Sequence, residues 1–177
     1  MTRVAAVLAA ALLCLACAAP IRSELMTPDP PRGLTKIALL PLQTDPMGPD
    51  VSKVAVNFVT ARIQDALQSE THLRVVDPDK ADALLSGTVR RYLERDGTSS
   101  GVRRPASVWI VLELRDAAGQ SLWTGTYEET QPALSDDVGS LPRAWERGFR
   151  WVTADDLAAY GVRELVRALG REVDTWS

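Results

Sequence analysis

Ser107-Val-Trp-Ile-Val-Leu-Glu-Leu-Arg115 alternates without a break. In an extended chain Val108, Ile110, Leu112 and Leu114 fall on one side, with Ser107, Trp109, Val111, Glu113 and Arg115 on the other. This is a strand with one buried face. Downstream, Ala117-Ala-Gly119 makes a turn, and Ser121–Glu128, carrying Leu122, Trp123 and Tyr127, is the next antiparallel strand. Upstream, Thr88–Glu94 is a third strand, and Gly97-Thr-Ser-Ser-Gly101 reads as a flexible hairpin tip.

Further upstream the pattern changes. Lys36-Ile-Ala-Leu-Leu-Pro-Leu42 is apolar on both faces, as a central strand requires, and must end or bulge at Pro41, which has no N–H for a ladder. A loop over Gln43–Asp50 follows. Val51, Ala55, Phe58, Val59, Ile63, Ala66 and Leu67 then form a helical stripe, with Asp50 the expected N-cap. Leu73–Val76 is a short strand. Asp77-Pro78 opens a predicted two-turn helix over Asp79–Leu85, stopped by Gly87. At the other end, Ser140–Arg147 is a predicted short helix. Thr153-Ala-Asp-Asp156 is a capping-box variant that opens the last helix, which Gly170 is expected to end. A helix between the first two strands implies that they run parallel, and the later meander extends the same sheet. The predicted class is α+β, with a single mixed β-sheet in β-α-β-α-β-β-β-α-α order and helices mainly on one face.

The first 17 residues form an export leader: Arg3, an apolar run over Val4–Leu13, then Leu15-Ala16-Cys17. The run is too short for a spanning helix of about 20 residues. Ala16 before Cys17 resembles the lipobox of bacterial lipoproteins, and the lipoprotein sorting pattern, with Ala18 rather than Asp next, implies the outer membrane. Cleavage after Ala18, releasing a soluble periplasmic protein, is the competing reading. The chain has two cysteines, and processing would leave only Cys17, which a lipid would consume. The expected layout is therefore a signal peptide over 1–17, a Pro-rich extended and mobile tether over 18–33, and a single periplasmic α+β domain over 34–177. Cys17 would carry thioether lipid and palmitate, the membrane contact would run through that anchor, and the protein would sit on the periplasmic face of the outer membrane.

With 46% hydrophobic and 24% charged residues, the chain is neither disordered nor a multi-pass membrane protein. Net charge is −3, and loss of Arg3 makes the processed chain more acidic, so nucleic acid is not an expected partner. His72 is the single histidine, and the folded part has no cysteine, G-x-S-x-G elbow or H-E-x-x-H helix. Glu128-Glu129, Asp136-Asp137 and Asp155-Asp156 are adjacent pairs, which do not converge on a strand or helix. No catalytic residue, metal or cofactor is predicted. Two features are candidate partner-binding sites. Arg90, Arg91, Arg95, Arg103 and Arg104 surround the hairpin tip against Glu94 and Asp96, and guanidinium groups suit carboxylates and phosphates. Trp109 and Trp123, on neighbouring strands, are expected to share the sheet face opposite Val108 and Ile110 unless they pack under the Trp145–Trp151 segment.

Lys36–Leu42, the following helix, Leu73-Arg-Val-Val-Asp77 and Ala81-Asp-Ala-Leu-Leu-Ser-Gly-Thr88 together resemble bacterial envelope lipoproteins built on a small α/β domain, such as the curli-secretion lipoprotein and the N-terminal domain of TolB-type proteins. The Ala-Asp-x-x-Leu-x-Gly segment, with Gly119–Trp123 as a Gly-x-x-Leu-Trp turn, is also similar to LPS-assembly lipoproteins. The resemblance spans roughly residues 36–128. It implies a non-catalytic assembly or accessory factor that binds another envelope protein. The alternatives are a scaffold for an outer-membrane β-barrel that contacts anionic glycolipid, and a periplasmic small-ligand binder.

Overall fold

The computed structural model describes residues 21–98, 101–131 and 152–176, with the side chains of all but 98 and 101–103. Its elements run β1 (Ile21–Leu25), β2 (Lys36–Leu39), β3 (Gln43–Thr44), α1 (Lys53–Glu70), β4 (Arg74–Val75), a 3-10 turn (Pro78–Lys80), β5 (Ala83–Leu93), β6 (Asp96–Thr98), β7 (Gly101–Arg104), β8 (Ser107–Asp116), β9 (Ser121–Thr130) and α2 (Ala154–Asp174). A seven-stranded sheet has the order β1-β9-β8-β5-β2-β4, with β3 also on β5, and β6 and β7 form a separate hairpin. The class is α+β with one mixed sheet, and the two helices pack on each other and against the sheet. Cys17, the predicted Ser140–Arg147 helix, Trp145 and Trp151 lie outside the described residues.

Pro41 acts as its chemistry requires. Leu39 pairs with Leu85 and Gln43 with Thr88, so β2 and β3 advance four residues while β5 advances three. The extra residue falls at the proline, and β2 and β3 are one strand broken by it. Helix α1 then returns to β4, parallel to β2 as expected. Its N-cap is Ser52 rather than Asp50, with Ser52 Oγ accepting from Ala55 N at 3.2 Å. The buried stripe is Ala55, Val59, Ile63, Ala66 and Leu67.

The predicted helix over Asp79–Leu85 does not form beyond the 3-10 turn. Ala83, Leu85, Gly87 and Val89 instead alternate into the core as the start of the central strand β5. Gly87 is therefore a strand residue, not a helix stop. A Cβ there would lie 2.7 Å from Leu42 Cδ2 and 2.8 Å from Leu112 Cδ2, so any larger residue must displace the ends of both leucine side chains. Helix α2 starts at the expected capping box, Thr153 with Asp156, but runs through Gly170 to Asp174.

Ile21–Leu25 differ from the expected mobile tether. They pair antiparallel with β9 from Ile21↔Tyr127 to Leu25↔Trp123 and cover what would be an open sheet edge. Trp123 Nε1 donates to Ser23 Oγ at 2.7 Å, tying the edge strand to the core. That core holds Leu85, Ile110, Leu112, Leu114, Trp123 and Tyr127 from the sheet, with Ile63, Leu67, Leu157, Leu165 and Leu169 from the helices.

Candidate functional site: the outer sheet face

The face of the sheet turned away from the core is built in rows. Thr88, Val111, Thr126 and Arg22 align across β5, β8, β9 and β1, and Arg91, Trp109 and Glu128 align across the first three of these strands. The pairing slips between Val89 and Arg91: Val89 faces Ile110 and Arg91 faces Trp109, leaving Arg90 as the extra residue. A bulge of this kind turns two successive side chains toward one cross-strand neighbour. Both guanidinium groups accordingly stack on Trp109, with Cζ 4.9 Å from the ring centroid for Arg90 and 5.6 Å for Arg91. Each such contact is worth about 0.5–1 kcal/mol near the surface.

Arg91 also reaches Glu128 Oε1 and Ser107 Oγ, both at 3.4 Å, so an ion pair spans two strands across Trp109. Arg90 has its Nε 3.9 Å from Asp45 Oδ2. The indole Nε1 of Trp109 is shielded from solvent and has no hydrogen-bond partner among the described residues. Farther along the face, Arg115 donates to Glu113 at 2.7 Å, which holds the Glu113 carboxyl below its ordinary range. The result is a half-buried aromatic platform roofed by cations, able to stack a flat or apolar partner group and to hydrogen-bond an anionic one.

The arginines whose side chains are described do not all gather at one tip. Arg90 and Arg91 belong to this face, and Arg104 sits opposite Asp96 in the β6–β7 hairpin. Arg95 makes contacts of its own, and the Arg103 side chain is outside the described residues. Trp123 does not join Trp109. It is fully buried on the helix side, where its ring packs over Gly125 and below Leu165. The register explains the separation: Trp123 faces Leu114, a core residue, whereas Trp109 faces Glu128. The bulge at Arg90 had no sequence signal except two adjacent arginines within a strand.

Elsewhere, His72 Nε2 lies 3.3 Å from Asp174 Oδ1 on an exposed rim. This pair borders an open polar cleft of about 490 Å³ lined by Glu70, Thr71, Arg167 and Arg171. Glu70 there is occupied by Arg167 at 2.8 Å, and Arg167 also holds Glu164 at 2.8 Å. A second concavity of about 370 Å³ lies between Leu39–Leu42 and Val56, Asn57 and Thr60 of α1. Among the described residues no three His, Cys, Asp or Glu side chains are grouped to hold a metal ion, and no helix is long and apolar enough to cross a membrane.

The described residues thus form a sheet-and-two-helix α+β domain in which neither helix covers the Trp109 face of the sheet. No protein-family model matches the sequence, and no curated protein does. Solved structures do match. The PelC dodecamer from Paraburkholderia phytofirmans aligns with TM-score 0.56 at 16% identity, over 85% of this chain and 96% of that one. A DUF330 protein from Xanthomonas campestris aligns with TM-score 0.54 at 12% identity, over 86% of this chain and 94% of that one. A lipoprotein from Neisseria meningitidis aligns with TM-score 0.42 at 17% identity, over 64% and 94%. At these identities the first two establish the shared fold.

Proposed function

We propose that this chain is a non-catalytic outer-membrane lipoprotein, anchored through Cys17, that serves as an accessory factor by docking another envelope protein on its outer sheet face. The observation that carries the docking role is the Arg90–Trp109–Arg91 group. An aromatic side chain flanked by cations, on a sheet face that neither helix covers, has the composition of an interface hot spot. The lipobox-like Leu15-Ala16-Cys17 supports the anchor, and anchoring raises the local concentration of the domain at the membrane. The resemblance to envelope lipoproteins supports the setting.

The test is affinity purification from detergent-solubilised envelopes with wild type, Trp109→Ala and Arg90→Ala. Loss of a co-purifying protein in both variants, with melting curves close to wild type, supports the reading. Unchanged recovery in both would refute it. A second reading is self-assembly, favoured because the fold neighbour PelC was solved as a dodecamer. Light scattering on the purified protein separates the two, since a ring of copies would dominate the mass at micromolar concentration.

A further inference from the structure

The strand β1 fixes which end of the domain meets the membrane. Three residues, Ala18, Ala19 and Pro20, separate Cys17 from Ile21, the first residue of β1. Four chain steps span about 14 Å at most. The headgroup region of one leaflet is itself roughly 5–8 Å thick, so a lipid on Cys17 holds the Ile21 end of the sheet against the bilayer surface. This rests on the anchor proposed above.

The register identifies what else lies at that end. Ile21 pairs with Tyr127, Tyr127 with Ile110, and Ile110 with Val89. Val89 of β5, the end of β3 and the loop leading into α1 are therefore near the same level, because Thr44 pairs with Val89 and Gly48 packs beside the Arg90 carbonyl, while β5 runs on to Leu93. That loop and the first turn of α1 carry Met47, 93% exposed, and Val54, 78% exposed, the two most exposed large apolar side chains of the described residues. Charges of both signs lie at this end: Lys53 follows Asp50, Arg104 sits opposite Asp96, Glu128 pairs with Arg91, and Asp155, Asp156 and Glu94 accept from the uncharged Tyr92, Thr153 and Ala154 N.

We infer that the Ile21 end is a membrane-contact surface, in which Met47 and Val54 enter the headgroup region of a phospholipid leaflet. Apolar side chains held at a leaflet surface bind it by burial. The outer sheet face would then stand roughly perpendicular to the bilayer and open sideways to the periplasm.

Lipid modification blocks Cys17, so an introduced cysteine is the only free thiol of the processed protein. The full-length protein is expressed as wild type, Met47→Cys and Ala117→Cys, the last at the opposite turn. Each is purified with its lipid, treated with a thiol-reactive fluorophore, and reconstituted into phosphatidylethanolamine–phosphatidylglycerol vesicles carrying a nitroxide on the headgroup. Several-fold stronger quenching at position 47 than at 117 is expected. Equal quenching at the two positions, stronger quenching at 117, or quenching at neither overturns the orientation. Wild type that labels at Cys17 or fails to float with vesicles refutes the anchor itself, a separate outcome.

Discussion

Gly161 shows how a single atom sets the sign of a substitution. Mid-helix, Gly to Ala ordinarily gains about 1 kcal/mol from helix propensity. Here a Cβ would lie 2.2–2.5 Å from three atoms of the Tyr127 ring, which packs directly on the α2 backbone. Overpacking of this kind costs about 1–3 kcal/mol. Gly161→Ala should therefore lower unfolding free energy by about 1 kcal/mol in a urea titration, and a stabilised variant would show that Tyr127 moves freely. Asp82 is a second case. Its carboxylate accepts from Lys36 N at 2.9 Å and Thr35 N at 3.1 Å, and these two backbone bonds hold its pKa below the ordinary value. A depressed pKa means that the contribution is present above the unfolded value, about pH 4, and is lost as pH falls through the folded value. The stability difference between wild type and Asp82→Asn should be flat from pH 5 to 7 and shrink toward pH 3. The site is exposed, so the plateau should be on the order of 1 kcal/mol.

Between elements, the joint of β5 with α2 rests on Tyr92, whose hydroxyl donates to Asp155 in the first turn of the helix. Burial, then the hydrogen bond to Asp155 and the charges of Asp155 and Glu94, push its phenol well above the ordinary pKa. A raised pKa contributes stability below the unfolded value, about pH 10, that falls away as pH rises further. Tyr92→Phe should lose about 1 kcal/mol at neutral pH. Wild type should lose that margin over the variant above pH 10, and thermal melts at pH 7 and 11 read the difference. The edge strand makes a larger claim. If residues 18–25 were only a tether, a chain starting at Met26 would melt like the longer one. Because β1 makes five register pairs with β9, at about 0.2–1 kcal/mol each, the shortened chain should be less stable by a few kcal/mol and more prone to associate through β9.

Considered whole, the described residues place both helices on one face of the sheet and neither on the other. Helices α1 and α2 enclose the core, while Trp109 and its arginines lie on the other side of the sheet. Anchoring and docking are thus separable functions of the proposed lipoprotein. Cys17→Ser should move the protein from the membrane fraction to the soluble periplasm while leaving its melting temperature unchanged. Trp109→Ala should do the reverse, leaving fractionation intact and weakening partner recovery. Membrane retention of Cys17→Ser would locate the attachment elsewhere.

Periodicity alone specified β8, β9, the stripe of α1, the break at Pro41 and the start of α2, because each carries a local signal: alternation, a 3.6-residue stripe, a missing N–H or a cap. Local signals failed where a neighbour decided. Ala83–Gly87 suits a short helix in isolation, and becomes a strand because β2 and β8 supply hydrogen-bond partners on both sides. Ile21–Leu25 is too short and polar to declare itself, and is a strand only because β9 offers an open edge. Trp109 and Trp123 are indistinguishable in sequence; cross-strand register sends one outward and the other into the core. The cation-roofed indole likewise depends on a bulge at Arg90 that exists only once β5 has paired with β8. Sequence can encode what a segment prefers, whereas a face, an edge or a bulge is a relation between segments and arises when they pack.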